Sequence, residues 1–148
     1  MITIRNSQRK VAVNQMKLRR DAEKILHILD YSEFDLGIWI TNNSTIKRYN
    51  KNFRNINKAT DILSFPFYPE LKPGKRIKAA SDEEKNLGDI IISAEYLFAQ
   101  YQADGFENRL QRILVHGICH LLAYDHKTDT EFKIMNKLEK HLLLKLKD

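Results

Sequence analysis

A single cysteine among 148 residues leaves no internal disulfide framework, and such a composition fits a reducing compartment, the cytoplasm. No apolar run approaches the roughly 20 residues that a membrane-spanning helix requires. The opening Met1-Ile2-Thr3-Ile4-Arg5 also lacks the apolar core of a signal peptide. Internal repeats and linkers are absent, so the expectation is one domain over residues 1–148, large enough for a real core. Acidic residues are scarce in the first part of the chain. Residues 1–58 hold twelve Lys/Arg against five Asp/Glu, a net +7, while the remainder is −1. A basic first part suggests a polyanionic partner, with nucleic acid ahead of membrane.

What is present reads as alternating strands and helices. Residues 2–6 suit a short strand. Asn14 can cap a helix in which Leu18, Ala22, Ile25, Leu26 and Leu29 follow a 3.6 period to Asp30, with His27 outside the stripe and facing solvent. Phe34–Thr41 alternates, with Leu36, Ile38 and Ile40 on one side, and predicts a second strand. Asn42, Asn43 and Ser44 offer the next cap. That helix buries Ile46, Tyr49 and Phe53, and Asn50 on the same face needs a buried partner or points into a cleft. Thr60–Pro66 and Leu87–Ile92 read as strands. The aperiodic stretch Phe67–Asn86 between them reads as a flexible flap, because long connections in compact domains are usually functional or mobile.

Ser93 caps a helix with Ala94, Leu97, Phe98 and Tyr101 inward, which Gly105 is expected to stop. A histidine-bearing helix follows, with Leu110, Ile113, Leu114, Gly117, Ile118 and Leu121 as its core stripe. Thr128–Glu131 forms a capping box for a last helix that buries Phe132, Met135, Leu138 and Leu142, with His141 beside the stripe in a structural role. The fold class expected is α/β (α+β): a single compact domain with a small mixed sheet of about four strands and about five helices, one of them a zincin-like metal helix.

Three of the five histidines lie between Val115 and His126. His116 and His120 are four apart and share a helix face. His126 lies beyond the helix end, where the chain can turn back. Three neutral imidazoles leave the fourth tetrahedral position of a zinc ion open, as in catalytic rather than structural sites. The spacing is that of the long zincin motif H-E-x-x-H-x-x-G-x-x-H. Gly117 stands where that motif places its general-base glutamate, so a peptidase mechanism loses its proton acceptor. Ala123 stands at the turn glycine, where a left-handed backbone costs about 1 kcal/mol. Cys119, between the two helical histidines, faces away from them and is expected to be a buried thiol rather than a ligand.

The stretch His116–His126 resembles H-G-x-x-H-L-x-G-Y-D-H, the signature of the YbeY family of bacterial rRNA-maturation endoribonucleases. Asn50-Lys51-Asn52-Phe53-Arg54 with Thr60-Asp61-Ile62-Leu63-Ser64-Phe65-Pro66 is similar to that family's second motif, and Leu87-Gly88-Asp89-Ile90 to its third. The resemblance implies zinc held by His116, His120 and His126, with Arg54 at the catalytic arginine position. It implies a zinc-dependent single-strand endoribonuclease in 16S rRNA 3′-end maturation and ribosome quality control. The partners it implies are ribosomal RNA, the small ribosomal subunit and a maturation GTPase.

Physical chemistry gives these residues their roles. Zinc is a Lewis acid for a phosphoryl oxygen, and a guanidinium clamps nonbridging oxygens through its planar fork. Asp61 and Asp89 enter strands, where acids are disfavoured, so each is expected to have a partner. Asp125 either orients a ligand histidine or shapes the turn. Two other readings stay open: a zinc metallopeptidase, and a non-enzymatic ribosome-binding factor whose zinc holds the fold. The sequence leaves the oligomeric state open.

Overall fold

Alternation of isoleucine, leucine and other large residues builds four strands: β1 (Ile2–Asn6), β2 (Asp35–Thr41), β3 (Ile62–Pro66) and β4 (Asn86–Ser93). The computed structural model describes residues 1–147, with the side chains of all of these except residues 102–104. The strands lie in the order β1-β2-β4-β3. β1, β2 and β4 are parallel, and β3 runs antiparallel to β4 at the sheet edge. Parallel neighbours require crossovers. Helix α1 (Gln15–Ile28) makes the first, and α2 (Asn43–Arg54) begins the second. Helices α3 (Ala94–Leu121) and α4 (Asp129–Leu146) complete the chain, with a 3-10 turn at Asp82–Glu84.

Strand alternation divides the core between the two sheet faces. Leu36, Ile38, Ile40, Ile90 and Ile92 join residues of α1, α3 and α4 in the main core. Ile91 and Leu63 point the other way and join Ile46 of α2, with Trp39, Tyr49 and Phe65 packed around them. β3 therefore has α3 on one face and α2 on the other. All four expected caps form: the side chains of Asn14, Asn42, Ser93 and Thr128 accept from the backbone N–H of Lys17, Thr45, Tyr96 and Glu131.

Several expectations need correction. Gly105 does not stop a helix: α3 is one helix of 28 residues, about 42 Å long at 1.5 Å per residue. A glycine inside a helix costs about 1 kcal/mol relative to alanine. Burial of Leu97, Phe106 and Leu110 on both sides of Gly105 outweighs that. Phe98 and Tyr101 lie at the rim of that burial and are partly exposed. Phe53 and Phe132, expected inside, are 65% and 54% exposed. Phe53 instead caps an aromatic cluster at the sheet edge, stacked on Tyr49 at 6.0 Å and edge-on to Phe65 at 5.2 Å. Asn50 is buried and donates to the Lys58 carbonyl at 2.9 Å, which ties down the loop after α2.

The stretch expected to be a flexible flap is tied to the body of the domain at several points. Ile77 is buried and its N–H donates to the Tyr31 hydroxyl at 3.1 Å. Arg76 stacks 4.2 Å over the Tyr31 ring, and Tyr68 donates to the Glu84 carbonyl.

Candidate metal centre

The site begins with how α3 ends. Ala123 adopts a left-handed backbone, φ 76°. Its N–H donates to the His120 carbonyl at 3.0 Å, and the Tyr124 N–H donates to the Cys119 carbonyl at 3.1 Å. These two bonds are the paired closure of a Schellman motif. The expected turn is therefore present with alanine in place of glycine. It reverses the chain so that His126 comes back over the helix face that carries His116 and His120.

One nitrogen from each of the three rings falls within a group no more than 4.8 Å across. The ring centroids are 4.4 Å (His116–His120), 5.2 Å (His120–His126) and 5.5 Å (His116–His126) apart. The hydrogen-bond acceptors fix the tautomers of the first two rings. His120 Nδ1 lies 2.9 Å from the Tyr124 carbonyl, and His116 Nδ1 lies 2.9 Å from a Glu139 carboxylate oxygen. A carbonyl and a carboxylate both accept, so each Nδ1 carries a proton, and in the metal-ligating form of each ring Nε2 is the bare nitrogen. Those two Nε2 atoms face each other at 3.0 Å. Two lone pairs at that separation repel unless a cation lies between them. Tetrahedral ligands at about 2.0–2.1 Å from zinc lie roughly 3.3 Å from one another, so the trio fits such an ion after a small adjustment. Burial holds the His120 pKa below the usual imidazole range, and the neighbouring His116 and His126 push it the same way. The neutral, ligating form is favoured.

Cys119 faces the core and is fully buried, and burial together with the Glu139 charge pushes its thiol up to about 12. It is no ligand. His27 and His141 are exposed and stand outside the cluster. Asp125 accepts from the His126 backbone N–H at 2.8 Å, so it shapes the turn. The expected carboxylate partner of a ligand histidine is instead Glu139, which sequence spacing gives no means of finding. A cavity of about 690 Å³ opens beside His116 between α3 and α4, lined among others by Asp61, Arg109, Arg112, Glu139 and Lys140.

Asp61 is thus brought to the site, where its carboxylate accepts from Thr60 Oγ1 at 3.3 Å. Asp89 is not: it lies exposed on the opposite sheet face, over Gly37. Arg54 is exposed at the last turn of α2 and does not line the cavity. Edge strand β3 lies between it and the histidines. Phe65 packs on Phe53, next to Arg54, while Ser64 donates to the Gly117 carbonyl at 3.4 Å. Position 117 itself faces the sheet: a Cβ there would come within 2.7 Å of Ile62 Cδ1 and 3.0 Å of Ile90 Cδ1. A side chain at this position would point toward the sheet and not into the histidine cluster, so position 117 does not supply the general base of a zincin-type peptidase.

The sequence model of the family described as Endoribonuclease YbeY matches residues 3–147. This chain belongs to the Endoribonuclease YbeY family. Among relatives of that name, the Homo sapiens protein is 37% identical over 143 residues, covering 96% of this chain and 86% of its own. The Caldicellulosiruptor bescii protein is 38% identical over 152 residues, covering 96% of this chain and 94% of its own. A Thermotoga maritima protein solved in solution superposes with a TM-score of 0.57 at 22% identity, covering 99% of this chain and 92% of that one, and shares the fold. The three stretches that resemble family motifs in the sequence lie at the Arg54 end of α2 with β3, the start of β4, and the end of α3.

Proposed function

We propose that this chain is a zinc-dependent endoribonuclease acting on single-stranded ribosomal RNA, in 16S rRNA 3′-end maturation and ribosome quality control. The observation that carries this reading is the convergence of His116, His120 and His126 on one point, open on the His126 side, in a chain of the Endoribonuclease YbeY family. His116, His120 and His126 hold the metal. Bound zinc supplies Lewis-acid stabilisation for a phosphoryl oxygen. Arg54 clamps the nonbridging oxygens, balancing negative charge as it develops during displacement. The cleaved strand crosses β3, because α2 with Arg54 and α3 with the histidines flank that edge strand from its two faces.

The reading as a non-enzymatic factor with structural zinc has less support. The main core is continuous without the histidines, which lie at its margin. The chain works in the cytoplasm, with ribosomal RNA, the small ribosomal subunit and a maturation GTPase as partners. A single free, buried cysteine supports that placement.

The test is metal-loaded protein incubated with structured rRNA and, separately, with casein, alongside His116→Ala, His120→Ala and His126→Ala. The wild type is expected to bind one zinc per chain and cleave rRNA but not casein. Each variant is expected to lose most of its zinc by elemental analysis after dialysis, and its cleavage with it. Stoichiometric zinc in any one variant strikes that histidine from the ligand set. Equal rRNA cleavage by wild type and all three variants would identify a contaminating nuclease.

A further inference from the structure

We propose that Glu139 is a positioning residue for the metal centre: its carboxylate, reaching across from α4, fixes the ring and tautomer of His116. The inference rests on the reading of the three histidines as a metal site. His116 and His120 need the same service, an acceptor on Nδ1 that turns the bare Nε2 toward the ion. His120 gets it locally, from the Tyr124 carbonyl in the turn that ends its own helix. His116 lies one helical turn earlier, where α3 offers it no such carbonyl, because helix carbonyls are engaged along the axis. Its acceptor comes from another element, 23 residues on: Glu139 Oε2, 2.9 Å from Nδ1.

Glu139 has no competing role. Arg112 and Lys140 line the same cavity, yet among the described residues His116 is the one hydrogen-bond or salt-bridge partner of Glu139. Its side chain is 22% exposed and that of His116 is 31% exposed, so solvent only partly screens the contact. A carboxylate on the far nitrogen of a ligand imidazole also raises the basicity of the ligating nitrogen, and loss of such partners typically weakens metal affinity about 10–100-fold. The contact makes the docking of α4 onto α3 part of the metal site.

The experiment measures zinc dissociation constants by chelator competition at one fixed pH for the wild type, Glu139→Gln, Glu139→Ala and His116→Ala. Thermal unfolding of each metal-free protein is recorded, together with the imidazole proton and nitrogen NMR signals of the zinc-loaded wild type and Glu139 variants. Glu139→Ala is expected to bind zinc about 10–100-fold more weakly. The hydrogen-bonded Nδ1–H signal of His116, present in the wild type, is expected to disappear. Glu139→Gln keeps an acceptor oxygen without the charge and is expected to fall between the two, retaining the Nδ1–H signal. It also serves as the informative variant should Glu139→Ala fail to fold. Wild-type zinc affinity in the Glu139 variants, even with lowered metal-free stability, makes the residue a structural contact and overturns the proposal. Failure of the wild type itself to bind zinc overturns the metal-site reading together with this one.

Discussion

Arg54 ends α2 with an exposed guanidinium that has no hydrogen-bond or ion-pair partner among the described residues. A residue so placed contributes little to the fold, and this makes it a clean probe of chemistry. Arg54→Lys keeps the charge but loses the bidentate fork. The variant is expected to retain zinc, circular dichroism and most RNA affinity. Its single-turnover cleavage rate should fall roughly ten- to a thousand-fold, on the order of 1.4–4 kcal/mol. An unchanged rate would show the fork to be unnecessary, and a rate loss that saturating protein restores would make Arg54 a binding residue. At this scale the histidines were legible because helical periodicity is local: four residues fix a shared face before any tertiary structure is known. Glu139 was illegible for the opposite reason. Nothing in the sequence near His116 signals it, and only the docking of α4 on α3 brings the carboxylate to the ring. Asp125 is adjacent to His126, yet its carboxylate serves the backbone of the turn.

The elements owe their placement to a few backbone constraints, and Gly88 is one of them. It has φ 117°, and a Cβ there would lie 2.2 Å from the Phe65 carbonyl oxygen and 2.8 Å from the Phe67 backbone nitrogen. The clash is with backbone of β3 and its exit, which cannot rotate away as a side chain can. Gly88→Ala combines left-handed strain with overpacking, each typically about 1–3 kcal/mol. It is expected to lower stability by about 2–6 kcal/mol in chemical denaturation, loosening the β3–β4 pairing where Pro66 opposes Gly88. A stability within about 0.5 kcal/mol of wild type, the usual range for a surface substitution, would show that β3 can shift at no cost. Strands and caps were legible because alternation and side-chain oxygens at helix starts are properties of short windows. The fusion of two expected helices into α3 was not, since Gly105 carries a local stop signal that burial on either side overrides. Apolar type also misled at Phe53, Phe98 and Phe132: periodicity says which residues share a face, and the layer above decides whether that face is covered.

Over the whole molecule, charge is sorted by element. The net +7 of residues 1–58 is concentrated on one helix: α2 carries Lys47, Arg48, Lys51 and Arg54 with no acid, and Lys58 follows in the next loop. Lys47, Lys51 and Lys58 are exposed. Arg54 ends this same basic helix on one face of β3, and the histidines end α3 on the other. RNA lying along α2 and crossing the edge strand would meet cations first and the metal centre after. Binding by phosphate neutralisation releases counterions, so log affinity falls linearly with log salt, with a slope of about −0.7 per phosphate contacted on a single strand. The wild type is expected to show a steep fall in affinity for single-stranded rRNA between about 50 and 200 mM salt. Lys47→Gln, Lys51→Gln and Lys58→Gln combined should flatten that slope by about 2, the value for three lost contacts. Zinc content should be unchanged, because none of the three residues touches the histidines. Binding isotherms of the zinc-loaded proteins at a series of salt concentrations are the measurement. An unchanged slope in the triple variant moves the RNA path off α2. A flat dependence already in the wild type removes phosphate contacts as the main source of affinity and leaves base stacking, for which the exposed Phe53 would be the first residue to substitute.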